Sequence, residues 1–139
     1  MRLSTRRCLL CISLLLTAGG LRAQASFPEK EGETVRYRAY IETRRGYVSG
    51  ICLLRLEGGE VNGCLVNEFG ITGLSFTYDL KKGKTRLHDV LPMLDKWAIR
   101  RVLKKDLSQV MDHLRRGETS YRNERRGICY DFDKLIIDN

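Results

Sequence analysis

Only two prolines and two histidines occur among 139 residues, and each scarcity removes a class of explanation. With Pro28 and Pro92 alone there is no proline-rich linker to divide the chain. Two histidines, and no C-x-x-C spacing among the three cysteines past residue 25, leave no ordinary zinc ligand set there. No G-x-S-x-G, H-E-x-x-H, P-loop or G-x-G-x-x-G motif is present. The carboxylates are scattered, so the paired acids of glycoside hydrolysis cannot be placed. The expectation is a protein that is not an enzyme and needs no cofactor. Downstream of residue 25 no apolar run approaches the roughly 20 residues that a spanning helix needs.

The first 25 residues read as a secretory signal peptide. Arg2, Arg6 and Arg7 make a basic start, CLLCISLLLTAGGL a short apolar stretch, and Ala23-Gln24-Ala25 a small-residue cleavage pattern before Ser26. No cysteine follows Ala25 directly, so an acylated lipoprotein start is not expected. The expected location is the periplasm or another exported compartment, with residues 26–139 forming one domain. The whole chain carries +8, but the signal holds four of the 25 basic residues and no acid. The remainder is therefore only +4, too mild a charge for a nucleic-acid binder. No nucleic-acid partner is expected.

Alternation then dominates. In TVRYRAYIETRR, Val35, Tyr37, Ala39 and Ile41 share one face, the signature of a strand with a core side and a wet side. YVSGICLLRLE, EVNGCLVNEF, ITGLSFTYDL and TRLHDV follow as further strands, with turns at Gly58-Gly59 and Gly83. Short turns between consecutive strands require an antiparallel meander. Residues 92–117 read as one amphipathic helix, with Pro92 in its first turn and Gly117 at its stop. Ile99, Leu103, Leu107, Val110 and Leu114 share a face, and Asp106 with Gln109 resembles a capping box, which allows a break near residue 105. One or two strands complete the chain. The fold class is α+β: a curved antiparallel meander, half-open and barrel-like, packed on one helix.

Three cysteines remain past the signal: Cys52, Cys64 and Cys129. A two-residue Gly58-Gly59 turn sets Cys52 against Leu65, whereas a three-residue turn sets it against Cys64 and permits a disulfide. Such a bridge would stabilise by about 3 kcal/mol. Glu57 facing Glu60 in the first register argues for the second.

Candidate sites follow from pattern. His88 and Asp89 are adjacent but point to opposite faces of a regular strand, so they share a substrate only if the strand kinks. Cys129 is a possible nucleophile, and His113 reads as a solvated helix residue. Arg100, Arg101, Lys104 and Lys105 form a basic stripe suited to anionic headgroups, at about 1 kcal/mol per cation, with Trp97 at its edge. Leu54, Phe76, Tyr78, Trp97 and Leu103 are the candidate lining of an apolar pocket between sheet and helix. In GCLVNEFGITGLSFTYD, Asn67-Glu68-Phe69-Gly70 reads as a corner between strands with Phe69 packed beneath it.

The meander from Tyr37 to Val90, the GCLVNEFGITGLSFTYD segment and the helix LPMLDKWAIRRVLKKDL resemble the outer-membrane lipoprotein-sorting (LolA/LolB-like) superfamily, among small bacterial envelope proteins of that style. The resemblance covers roughly residues 35–115 and implies a half-open β-barrel closed by helix that holds acyl chains. Its implied role is binding of lipid or lipoprotein, with peripheral membrane contact. A structural or protein-interaction module without a lipid cavity is the alternative. At 114 residues the domain is shorter than a full carrier, and the anchoring cysteine of the receptor-type members is absent.

Overall fold

The computed structural model describes residues 27–135; the expected signal peptide lies outside them. Seven strands form one sheet: β1 (Thr34–Thr43), β2 (Gly46–Glu57), β3 (Glu60–Val66), β4 (Thr72–Asp79), β5 (Lys84–Val90), β6 (Ser120–Asn123) and β7 (Ile128–Lys134). Helix α1 (Trp97–Arg115) lies between β5 and β6 in the chain. Every pairing is antiparallel, and the strand order is β5-β4-β3-β2-β1-β7-β6. The C-terminal hairpin therefore returns beside β1 and extends the meander on its free side.

The two edge strands, β5 and β6, both contact α1. The sheet curls into a half-barrel and the helix lies along the gap between its edges. Ser108 fastens one edge: its hydroxyl accepts from the Thr85 backbone N–H at 3.1 Å and lies 2.9 Å from the Thr85 hydroxyl. Asp106 fastens the other edge, as described below. Inside, Leu54, Phe76, Tyr78, Tyr130 and Phe132 pack with Leu107, Met111 and Leu114 of the helix, all at most 2% exposed. Burial of each such large side chain contributes about 1.5–3 kcal/mol. Gly63 makes room for this packing: a Cβ there would lie 2.2 Å from the Phe76 ring.

The helix departs from the expectation in two respects. Pro92 opens a separate 3-10 turn, Pro92–Leu94, and α1 starts at Trp97. Asp106 is not a cap and the helix does not break near residue 105; Asp106 is 3% exposed and turns inward. Only the second half of α1 is sealed into the core, through Leu107, Val110, Met111 and Leu114. Ile99 and Leu103 are half-buried.

The Cys52–Cys64 disulfide is corrected. Gly58 (φ 60°) and Gly59 (φ 78°) form a two-residue turn, whose double positive φ matches the twist of a hairpin. Glu57 therefore faces Glu60, Cys52 faces Leu65, and Cys64 faces Leu53. Cys52 points into the core and Cys64 to the outer face, so one bond cannot join them, and all three described thiols are free. The opposed glutamates are tolerated because each has its own cation. Arg55 lies 2.5 Å from Glu57, and Arg86, two strands away, lies 3.0 Å from Glu60.

A bulge between β4 and β5 supplies the kink that His88 and Asp89 would need. Phe76 pairs with Leu87 and Leu74 with Val90, so Ser75 alone opposes both residues. Both side chains consequently reach outer-face hydroxyls: His88 Nε2 lies 2.6 Å from Thr77 Oγ1, and Asp89 Oδ2 accepts from Ser75 Oγ at 3.1 Å.

Candidate functional site

Antiparallel order sends alternate turns to opposite ends of the half-barrel. The β1–β2, β3–β4 and β6–β7 turns share one end with the exit of β5 and the start of α1. This mouth carries Tyr47, Val48, Phe69, Ile71 and Trp97, five of the six exposed large apolar side chains among the described residues; the sixth, Ile51, lies on the outer face of β2 opposite Val66, the last residue of β3. Trp97 and Phe69 are the extremes, at 77% and 79% exposed. Isolated exposed apolar residues are ordinary, but their concentration at one end marks a contact surface.

Phe69 is held out rather than packed beneath a corner. Asn67 organises the loop around itself: its side-chain oxygen accepts from the N–H groups of Phe69 and Ile71, each at 2.9 Å. Its own N–H donates to the Ile71 carbonyl, and its carbonyl accepts from Gly70, each at 3.0 Å. An Asx turn of this kind pre-sets the loop, so exposing Phe69 costs no further ordering on contact.

Across the mouth, a groove of about 380 Å³ runs between the start of α1 and the β6–β7 turn. Trp97, Ala98 and Val102 form its apolar wall, and Arg101, Lys105, Arg125 and Arg126 its charged one. These four cations make no ion pair with any described residue. Its floor is a built polar joint. Asn123 Nδ2 donates to both Asp106 oxygens, at 2.9 and 3.1 Å, and Tyr130 donates to Asp106 at 2.6 Å. The other end of the Asn123 amide accepts from the Arg126 N–H at 3.1 Å, which ties the arginine-bearing turn to the helix. Burial, then the bond to Asp106, pushes the Tyr130 hydroxyl well above its ordinary pKa, so it stays a donor. Arg44, from the β1–β2 turn, lies across Gly127 beside this turn.

The basic stripe is thus divided. Arg101 and Lys105 line the groove with Trp97, at i, i+4 and i+8 spacing on one side of the helix. Arg100 is already paired with Asp95 at 2.9 Å, and Lys104 is exposed but is not a wall of the groove. The apolar lining is divided too, and the pocket between sheet and helix is corrected. Leu54, Phe76 and Tyr78 are closed core, 0–2% exposed, because the helix residues Leu107, Met111 and Leu114 fill the space above them. Leu103 is half-buried outside the groove. Sequence reasoning missed Arg125, Arg126, Asn123 and the inward role of Asp106.

Elsewhere the polar clusters are self-satisfied. The Thr77 hydroxyl, 5% exposed, donates to Asn62 at 3.1 Å as well as meeting His88, which leaves no accessible nucleophile there. The Cys52 thiol is pushed up to about 12 by burial and is chemically inert at neutral pH. Among the described residues no group of three or more His, Cys, Asp or Glu side chains is placed to hold a metal ion, and no helix is long and apolar enough to cross a membrane. Compared with protein-family models, curated proteins and solved structures, the chain gives no match.

Proposed function

We propose that this chain is a non-enzymatic, exported lipid-binding module that works mouth-down on an anionic membrane surface of the cell envelope. The observation that carries the reading is the coincidence, at one end of the half-barrel, of Tyr47, Val48, Phe69, Ile71 and Trp97 with Arg44, Arg45, Arg101, Lys105, Arg125 and Arg126. Aromatic rings that are apolar in body and set among cations suit the boundary between headgroups and acyl chains. Glu68, Asp95 and Glu124 are the acids in the connections at this end, Asp95 being paired with Arg100, and the cations outnumber them. Each cation near such a surface adds about 1 kcal/mol, and the aromatic side chains add burial that salt does not screen. The packed interior argues for lipid contact at the mouth rather than within the barrel.

Co-sedimentation of the full chain with phosphatidylglycerol vesicles, against phosphatidylcholine vesicles, tests the reading. Retention by the anionic vesicles that weakens as salt rises is expected. Absence of binding to both would overturn it in favour of a protein-interaction module, for which the same exposed rings would be the contact.

A further inference from the structure

We propose that the groove between α1 and the β6–β7 turn binds one molecule of an anionic amphiphile. Its phosphate ester would rest on Arg101, Lys105, Arg125 and Arg126, and the first part of its chain along Trp97, Ala98 and Val102. This deepens the membrane reading by naming a discrete site and its ligand class, and it rests on that reading only for where the ligand comes from.

Three observations favour this occupant. Four cations from two separate elements converge on one groove, and none is paired with an acid among the described residues. The only acid among the described residues of the walls, Asp106, has both oxygens engaged by Asn123 and one by Tyr130 as well, so it serves as floor rather than as partner to the arginines. Three of the four cations are arginines, whose planar fork binds phosphate oxygens two at a time. An apolar wall faces this charge, which a bare anion would leave wet and an alkyl chain would cover. The volume sits at the small end of the range of about 300–1,000 Å³ for ligand pockets, enough for a headgroup and part of one chain. The Asp106–Asn123–Arg126 joint fixes the two walls before any ligand arrives, so little ordering is lost on binding.

The only tryptophan of the chain is Trp97, so the groove carries its own reporter. The full chain is titrated with dodecyl phosphate below its micelle concentration, while Trp97 emission is followed. A blue shift that saturates at one ligand per chain is expected. Inorganic phosphate should bind at least tenfold more weakly, and dodecyltrimethylammonium should give no saturable shift. The double substitution Arg125→Glu with Arg126→Glu, at exposed turn positions, should weaken dodecyl phosphate at least tenfold while leaving the far-ultraviolet circular dichroism unchanged. The proposal fails if the cationic detergent shifts Trp97 equally or if the double variant keeps its affinity. Equal affinity for inorganic phosphate would make this a free-anion site and overturn the amphiphile assignment. Vesicle binding separates the two readings. Saturable dodecyl phosphate binding without vesicle retention leaves the groove standing and sinks the membrane reading. Vesicle retention unchanged in the double variant, with no one-to-one dodecyl phosphate complex, does the reverse.

Discussion

The two ends of the half-barrel are built on opposite terms. At the far end the turns are tied down by polar groups. Asp79 accepts from the Lys81 and Lys82 N–H groups at 2.9 and 3.0 Å, Glu31 accepts from Gly58 at 2.7 Å, and Arg115 donates to the Leu80 carbonyl at 3.3 Å. The segment before β1 adds two more bonds, from Gly32 to the Leu56 carbonyl and from Leu56 to that of Glu33. None of the exposed large apolar residues lies there. At the mouth, hydrogen bonds serve instead to hold apolar and cationic side chains out in water, as Asn67 does for Phe69 and Asn123 for the arginine turn. Polar bonding closes one end and presents the other, and that contrast is why the mouth reads as the working surface.

The largest expected effect comes from the joint beneath the groove. Asp106→Ala leaves the buried Tyr130 hydroxyl and the half-buried Asn123 amide without their acceptor, and should cost about 3 kcal/mol. Urea unfolding measures it. A cost below about 1 kcal/mol would mean that the two walls of the groove are not held by this joint. Next come the mouth side chains. Removing an interfacial aromatic by Phe69→Ser or Trp97→Ser should weaken partition onto phosphatidylglycerol vesicles about tenfold, the equivalent of about 1.4 kcal/mol. The matched change at the far end, Lys81→Glu, should leave it within about twofold. If both ends mattered equally, the polarity of the molecule would be irrelevant to membrane contact.

A pair of buried tyrosines gives a finer comparison. Tyr130 donates to Asp106, whereas the Tyr37 hydroxyl has no hydrogen-bond partner among the described residues although it is fully buried. Burial pushes the Tyr37 pKa upward, so the group stays neutral and its cost is that of a desolvated hydroxyl. Tyr130→Phe should destabilise by about 1.5–3 kcal/mol, since an acceptor loses its donor. Tyr37→Phe should stabilise by about 1 kcal/mol. Thermal unfolding of the two variants gives the signs, and a loss in both would show that the Tyr37 hydroxyl makes a contact after all.

Much of this frame was legible in the residues. The alternation Val35, Tyr37, Ala39, Ile41 specified a strand because the burial of one face imposes a period of two, and Gly58-Gly59 specified a turn because few other residues accept its φ. The α+β meander with one helix follows from such local signals. Hairpin register did not, because the repulsion between Glu57 and Glu60 is offset by Arg86, which only the folded sheet brings near. The His88–Asp89 bulge was hidden for the same reason, since it depends on how β4 and β5 slide past one another. Of the groove, Trp97, Arg101 and Lys105 were visible as one side of a helix. Arg125 and Arg126 were not, because their convergence depends on a strand pairing with β1 far earlier in the chain. Phe76 and Tyr78 had the right pattern for a pocket lining and are core, since a pattern of apolar residues is the same whether helix or ligand covers it.

The smallest effect separates charge from shape at the closed end. The Lys82 N–H, followed by the Lys81 N–H and the charges of Lys82 and Arg86, holds the Asp79 carboxyl below its ordinary value of 3.8, against an opposing effect of burial. A carboxylate whose pKa is lower folded than unfolded adds stability that is fully present above the unfolded value and is lost as pH falls through the folded one. Asp79→Asn keeps the acceptor oxygen that shapes the turn and removes only the charge. The variant should therefore be slightly less stable than the parent at neutral pH, and the gap should close as pH falls through and below about 4. Denaturant midpoints at pH 7 and at pH 2 measure it. A gap that stays constant would mean that turn geometry, not the ionised carboxylate, secures this end.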